Sequence, residues 1–178
     1  MHDLDPDLYV SVSVTTRRPR ATERDGVDYF FIDDEGFDRL IADGELLEWA
    51  EIFGHRSGTP ARPIRDVRRE GRDAVLEIDV QGARIVRDQV ADAVLILLVP
   101  PSLAELERRL RTRATEDEEK LARRLARAEE EIAQGGWFDH VIVNDDVERA
   151  SSQVAAIIEA SRSHPRPEPR PAPEDPSS

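Results

Sequence analysis

Two arginines, Arg17 and Arg20, flank Pro19 at the end of an alternating run, SVSVTTRRPR (11–20). Proline fixes φ, so the pair is presented with little backbone freedom. Guanidinium groups make forked, charge-assisted hydrogen bonds to phosphate oxygens. Two carboxylates, Glu48 and Asp79, interrupt otherwise apolar runs, LLEWAEI and AVLEID. A carboxylate accepts from the ring N–H and exocyclic amine of guanine, a donor pair that adenine does not offer. Ser13 lies on the polar face of its run, where a hydroxyl can read a carbonyl oxygen. A third set, Arg109, Arg113, Arg123, Arg124 and Arg127, brackets a break at 114–119. It reads either as two helices with solvated charged faces or as a lid that carries arginines to a transferring phosphoryl group. For the polar strand ends, the plainer alternative is a solvated loop exit.

Positioning these groups requires a scaffold of strands and helices. From Tyr9 to Val14 the pattern alternates, with Val10, Val12 and Val14 on one face and Ser11, Ser13 and Thr15 on the other. YFFI (29–32) reads as a second strand, 34–43 as a helix, and 46–52 as a strand or a helix end. Gly58-Thr59-Pro60 is a turn signal. A charged helix over 62–70 precedes a strand over 74–79 and a helix over 81–90. The run 93–99 reads as a buried strand closed by Pro100-Pro101. SLAE (102–105) is a capping-box pattern that starts a helix running to about Leu110. Over 116–132, Leu121, Leu125, Ala128 and Ile132 form one amphipathic stripe. A strand over 141–143 ends in Asn144-Asp145-Asp146, and 147–161 is the last helix. From His164 onward the proline-rich tail is predicted to be disordered. Short apolar strands alternating with helices predict an α/β fold with a mainly parallel sheet. In such sheets ligands bind at the carboxyl ends of the strands. Three runs end there in polar clusters: TTRRPR, LEID and VNDD. Tyr29 to Pro60 lacks the alternation and reads as an inserted lobe.

The bulk properties narrow the function classes. A chain of 178 residues can bury a real core. Its net charge of −13 argues against sequence-independent nucleic-acid binding, yet leaves room for one basic pocket. With no cysteine, disulfides, thiolate metal sites and a cysteine nucleophile are excluded. His2, His55, His140 and His164 show no HxxxH or HExxH spacing, so no metal site is expected. The longest apolar run, 93–99, is too short to span a bilayer. MHDLDPD has none of the parts of a signal peptide. The expectation is a cytoplasmic protein.

The ordered blocks SVSVTTRRPR, DGVDYFFI, GELLEWAE, GTP, LEIDVQGAR, PPSLAELERRL, ARRLARAEEEI and VIVNDD resemble the guanylate kinase family over roughly Pro6 to Arg162. The resemblance implies an α/β, P-loop nucleoside-monophosphate-kinase-like parallel sheet with an inserted GMP-binding lobe at about 29–60. It also implies a lid at about 111–124, within a domain spanning 1–162 and followed by the tail. The implied reaction is ATP-dependent phosphorylation of GMP to GDP, with Mg²⁺ accompanying ATP. Position by position, Arg17, Arg20 and Tyr29 match contacts to the GMP phosphate. Ser13, Glu48, Thr59 and Asp79 match contacts to guanine. Arg109, Arg113 and Arg124 match the lid arginines that approach the ATP phosphates, and Asn144 matches a position near adenine.

Two departures stand out. Where the family carries Tyr-Tyr-Gly, this sequence has Arg56-Ser57-Gly58. A phosphate-bonding tyrosine is thereby replaced by Ser57, and Arg56 offers a compensating cation. The family's GxxGxGK[ST] phosphate loop occurs nowhere in the 178 residues, whose single lysine, Lys120, follows no glycine loop. That loop cradles the ATP phosphates and helps hold Mg²⁺. Its strand lies in mid-sheet, so without it the LEID and LILL strands are expected to have unpaired edges. Either the sheet closes up, another segment fills the gap, or, as is expected here, the gene start is set at an internal methionine with the loop encoded upstream. On each account the 178-residue chain is expected to show little or no kinase activity. The alternative is a non-catalytic module that binds GMP or phosphopeptides through the same arginines.

Overall fold

The structure is a computed structural model and describes residues 8–113 and 118–163. The chain forms two compact units, divided between Val90 and Ala91.

In the first unit, β1 (Tyr9–Val10) pairs in parallel with β6 (Ala74–Val75). The last bond of that ladder runs from the Ser11 N–H to the Val75 carbonyl at 2.9 Å. The chain then leaves the pair and enters a second sheet as β2 (Val14–Thr15). Here β2 lies between β3 (Phe30–Phe31), which is parallel to it, and β5 (His55–Pro60), which is antiparallel; β4 (Leu46–Ile52) pairs with β5 at the outer edge. The single alternating strand expected over 9–14 is therefore two short strands in two sheets. The expected strand over 74–79 shrinks to Ala74–Val75 for the same reason. Once β1 turns away at Ser11, Leu76 to Asp79 have no ladder partner among the described residues.

Three helices cover this unit. In α1 (Asp34–Ala42), Asp33 caps the start by accepting from the Gly36 N–H at 2.8 Å. Phe37 is completely buried on its inner face. In α2 (Ala61–Arg69) the buried residues are Ala61, Ile64 and Val67, and in α3 (Val80–Gln89) Val80, Ala83 and Val86 recur at the same spacing of three. That spacing holds a narrow stripe to the core while the arginines between stay wet.

The β4–β5 ribbon turns at Phe53-Gly54, since Ile52 pairs with His55. Both turn residues have positive φ, 52° at Phe53 and 77° at Gly54. The expected turn at 58–60 instead lies inside β5. Gly58 is needed there because a Cβ would stand 2.8 Å from the Glu48 carbonyl oxygen and 2.9 Å from the Trp49 Cβ. The glycine marks a close approach of two backbones, not a change of direction.

In the second unit, β7 (Ile96–Val99) and β8 (His140–Val143) form a parallel pair, Ile96 opposite His140 through Val99 opposite Val143. Around them are α4 (Leu103–Arg113), α5 (Glu118–Ala133), a short 3-10 helix (Gly135–Trp137) and α6 (Val147–Arg162). Ser102 caps α4 as expected, accepting from the Glu105 N–H at 3.1 Å. Asp146 caps α6 through the Arg149 N–H at 2.9 Å. The strand over 93–99 is less buried than expected. Leu95 is buried, but Val94 and Leu98 are exposed, as are Val141 and Val143. With one ladder partner, β7 is not enclosed as a mid-sheet strand would be. The proline-rich tail and the lid tip at 114–117 lie outside the described residues.

A non-glycine residue at positive φ is strained by about 1–2 kcal/mol. Phe53→Asn, which suits such a turn, is expected to raise the stability of the first unit by about 1 kcal/mol. Urea titration followed by circular dichroism would show this as a higher midpoint at an unchanged slope.

Candidate functional site

The first cluster forms where β4 and β5 pair. A bulge shifts the β4 register between Leu46 and Glu48, so Leu46 lies opposite Pro60 while Glu48 lies opposite Thr59. The extra residue separates these side chains. Leu46 goes to the Gly58 face, and Glu48 goes to the opposite face with Thr59. Glu48 is only 5% exposed and Thr59 is fully buried. The Thr59 hydroxyl donates to Glu48 Oε1 at 2.6 Å. The other oxygen, Oε2, lies against α3 at Gly82, where a Cβ would come within 2.5 Å of it. Asp79 caps that helix, accepting from the Gly82 N–H at 2.8 Å.

Burial pushes the Glu48 carboxyl above its ordinary value, and the negative Asp79 nearby pushes it the same way. The Thr59 hydrogen bond works against both. The result is a close-set group of two carboxylates and a hydroxyl. Ser13 joins the row by register. Val14 pairs with Gly58 and Thr15 with Ser57, so one step earlier Ser13 comes level with Thr59. Its own carbonyl is taken by the Phe30 N–H at 2.9 Å.

The second cluster follows β2 directly. Arg17 forms a fork on Glu23, with Nη1 and Nη2 each 2.9 Å from a carboxylate oxygen. Its guanidinium lies 5.2 Å from the centre of the Tyr29 ring and 5.7 Å from that of Phe31. The Glu23 hydrogen bonds raise the Arg17 pKa, and Tyr29 adds to this. In turn Arg17 lowers the Glu23 carboxyl, helped by the Arg20 backbone N–H. The Arg20 side chain is 65% exposed and approaches Glu23 at 3.5 Å. Arg17, Arg20 and Tyr29 are thus brought together as the sequence suggested, around an acid that sequence reasoning missed. The signal was present: Glu23 stands three residues after Arg20 in RPRATE.

Arg56 does not supply the compensating cation. Its guanidinium is taken by Asp38 at 2.5 Å and Asp34 at 2.7 Å, and it stacks 4.8 Å over the buried Phe37 ring. Both acids are on α1, so Arg56 ties that helix to β5. Ser57 donates to Thr15 Oγ1 at 3.0 Å, and Thr15 donates to the Arg56 carbonyl at 2.9 Å. The hydroxyl at 57 is spent on holding β2 to β5.

In the second unit, Arg109 and Asn144 meet. Arg109 Nη1 donates to the Asn144 carbonyl at 2.9 Å and its Nε to Glu105 at 2.8 Å. Hydrogen bonds from Arg108 and Arg109 hold the Glu105 carboxyl down at about 2. Arg124 is half-buried on α5. Arg113 ends α4, and its side chain lies outside the described residues. Arg111 joins the two helices by a fork on Glu118, at 2.5 and 2.9 Å.

The buried Glu48 has a measurable signature. Its raised folded pKa means that the folded chain holds the proton more tightly than the unfolded chain, so stability falls as pH rises through the window above 4.5. Glu48→Gln removes the buried charge. It is expected to raise the melting temperature of the free protein at pH 7, with the gain disappearing as pH falls to 4.5. Gly82→Ala, which overpacks against Glu48, is expected to cost about 1–3 kcal/mol in the same melts.

The guanylate kinase family model matches residues 2–161. A guanylate kinase of Streptomyces kasugaensis is 50% identical over 158 residues, covering 89% of this chain and 77% of its own. One from Thermosynechococcus vestitus is 54% identical over 145 residues, covering 82% and 76%. The crystal structure of guanylate kinase from Anaplasma phagocytophilum superposes with a TM-score of 0.78 at 36% identity, covering 89% of this chain and 78% of that one. A buried acceptor pair beside an arginine cluster, in a chain matched along nearly its whole length, leads to one assignment: this chain belongs to the guanylate kinase family.

Proposed function

We propose that the first unit is the GMP site of a kinase that moves the γ-phosphoryl group of ATP onto GMP, yielding GDP and ADP. The observation that carries this is the buried Glu48–Thr59 pair with Asp79 beside it. In this reading Glu48 and Asp79 accept from the guanine ring N–H and exocyclic amine, while Ser13 and Thr59 complete the base contacts. Adenine presents an unprotonated ring nitrogen there and leaves the carboxylates unsatisfied, which is costly in a buried site. Guanine donors meeting Glu48 and Asp79 would offset the burial that raises the Glu48 carboxyl in the free protein. Arg17, Arg20 and Tyr29 take the phosphate. Arg109, Arg113 and Arg124 stabilise the charge on the transferring group, and Asn144 lies toward adenine. Mg²⁺ enters as part of the ATP substrate. No described helix is long and apolar enough to cross a membrane, in keeping with a cytoplasmic nucleotide enzyme.

The phosphate-donor side is weaker in these 178 residues, which contain no GxxGxGK[ST] run. That, with Ser57 turned inward to Thr15, favours a second reading: a module that binds GMP or a phosphopeptide without turnover.

Calorimetry on the 178-residue chain separates the possibilities. GMP is expected to bind, AMP is not, and ATP only weakly. Glu48→Gln is expected to weaken GMP by about 10–100-fold, the scale of a hydrogen bond to a charged group. Equal affinity for GMP and AMP would sink the guanine site. Phosphoryl transfer by this chain would show that the glycine loop is dispensable, and phosphopeptide binding in preference to GMP would favour the module.

A further inference from the structure

Glu23 has no role in the reading above, yet its carboxylate sits against Arg17 and Arg20. An arginine has five N–H donors. Arg17 spends one Nη1 and one Nη2 hydrogen on the Glu23 fork, and its second Nη1 hydrogen reaches the Arg18 carbonyl at 2.8 Å. The remaining donors are those on Nε and Nη2, and the Tyr29 side chain hydrogen-bonds to the same guanidinium. The Nε and Nη2 donors share the side-on edge of the guanidinium, and two parallel donors at that spacing match two oxygens of one phosphate. The Tyr29 and Phe31 rings lie against the same group, which limits its rotation.

Glu23 is itself fixed. Its Oε2 accepts from the Arg20 N–H at 2.7 Å, and its own N–H donates to the Arg20 carbonyl at 3.0 Å. This reciprocal pair closes a tight turn, and the side chain is 12% exposed. An acid serving as a removable plug for the phosphate seat would be free to swing out. This one is held by backbone on one side and a guanidinium fork on the other.

We propose that Glu23 is a positioning residue: it locks Arg17 so that the Nε–Nη2 edge faces the GMP phosphate. The inference rests on Arg17 being a phosphate ligand. Glutamine at 23 keeps the shape but turns an amide N–H₂ toward an arginine donor, which breaks the fork.

The test is a double-mutant cycle on the full chain, using GMP and guanosine as probes. Glu23→Gln is expected to weaken GMP about tenfold, as for one charge-assisted hydrogen bond, and to leave guanosine unchanged because it has no phosphate. In an Arg17→Ala background, Glu23→Gln is expected to cost nothing further. Without ligand, the Arg17 Nε–H NMR resonance is expected to be sharp in the wild type and broadened in the variant. Glu23→Asp, which withdraws the carboxylate by one methylene, is expected to behave like Glu23→Gln and serves if that variant melts abnormally. Unchanged or tighter GMP binding would overturn the proposal, tighter binding marking Glu23 as a competing anion. Additive losses in the cycle, or equal losses for guanosine, would also overturn it. If the wild-type chain itself fails to bind GMP, the parent reading falls and this one with it. GMP binding with an unaltered Arg17 resonance in Glu23→Gln would remove only the lock.

Discussion

The first unit is arranged around a carboxylate taken out of water. Leaving Glu48 charged in its pocket costs several kcal/mol before any compensation. The Thr59 hydroxyl returns about 1.5–3 kcal/mol, and the Thr59 backbone bond works in the same direction. Burial therefore wins in the free protein, and the carboxyl is raised. The surrounding features follow from that imbalance. The β4 bulge brings the acid to the Thr59 face, Gly82 makes room for its outer oxygen, and Asp79 adds a second negative charge nearby. A fold selected for stability alone would place a leucine there. The acid makes sense as a group held ready for a ligand with matching donors.

The arginine cluster follows a different rule. Arg17 is compensated before any ligand arrives, through Glu23 and the Tyr29 and Phe31 rings. A lone guanidinium on a surface loop samples many rotamers, and ordering it on binding would subtract from affinity. Compensation in the free state removes much of that cost. Arg56 shows the contrasting case. Its charge is used up on Asp34 and Asp38, and the guanidinium covers Phe37. Arg17, just beyond β2, and Arg56, within β5, thus differ because of the acids that face them.

Much of this could be read along the chain. The helices were legible because their caps and apolar spacing are local: Ser102 caps α4 as its type suggests. The grouping of Arg17, Arg20 and Tyr29 was legible from the motif blocks. Strand lengths were not, since a strand is defined by its partner. The 9–14 run divides between two sheets, and 74–79 pairs for only two residues. Gly58 was misread as a turn because sequence does not distinguish a glycine needed for φ from one needed for space.

Residue types, caps and ordered motifs were determined by the sequence by itself, and with them the family. These are properties of single residues and near neighbours, acting over a turn of helix or a few positions of strand. What only the tertiary structure decided was which partner each charge receives. Glu48 meets Thr59 and Gly82, Arg56 meets α1, and Ser57 turns to Thr15. The physical reason is that a charge is priced by its surroundings, through burial and through hydrogen bonds from groups distant in sequence, and those surroundings exist only once the sheet has formed.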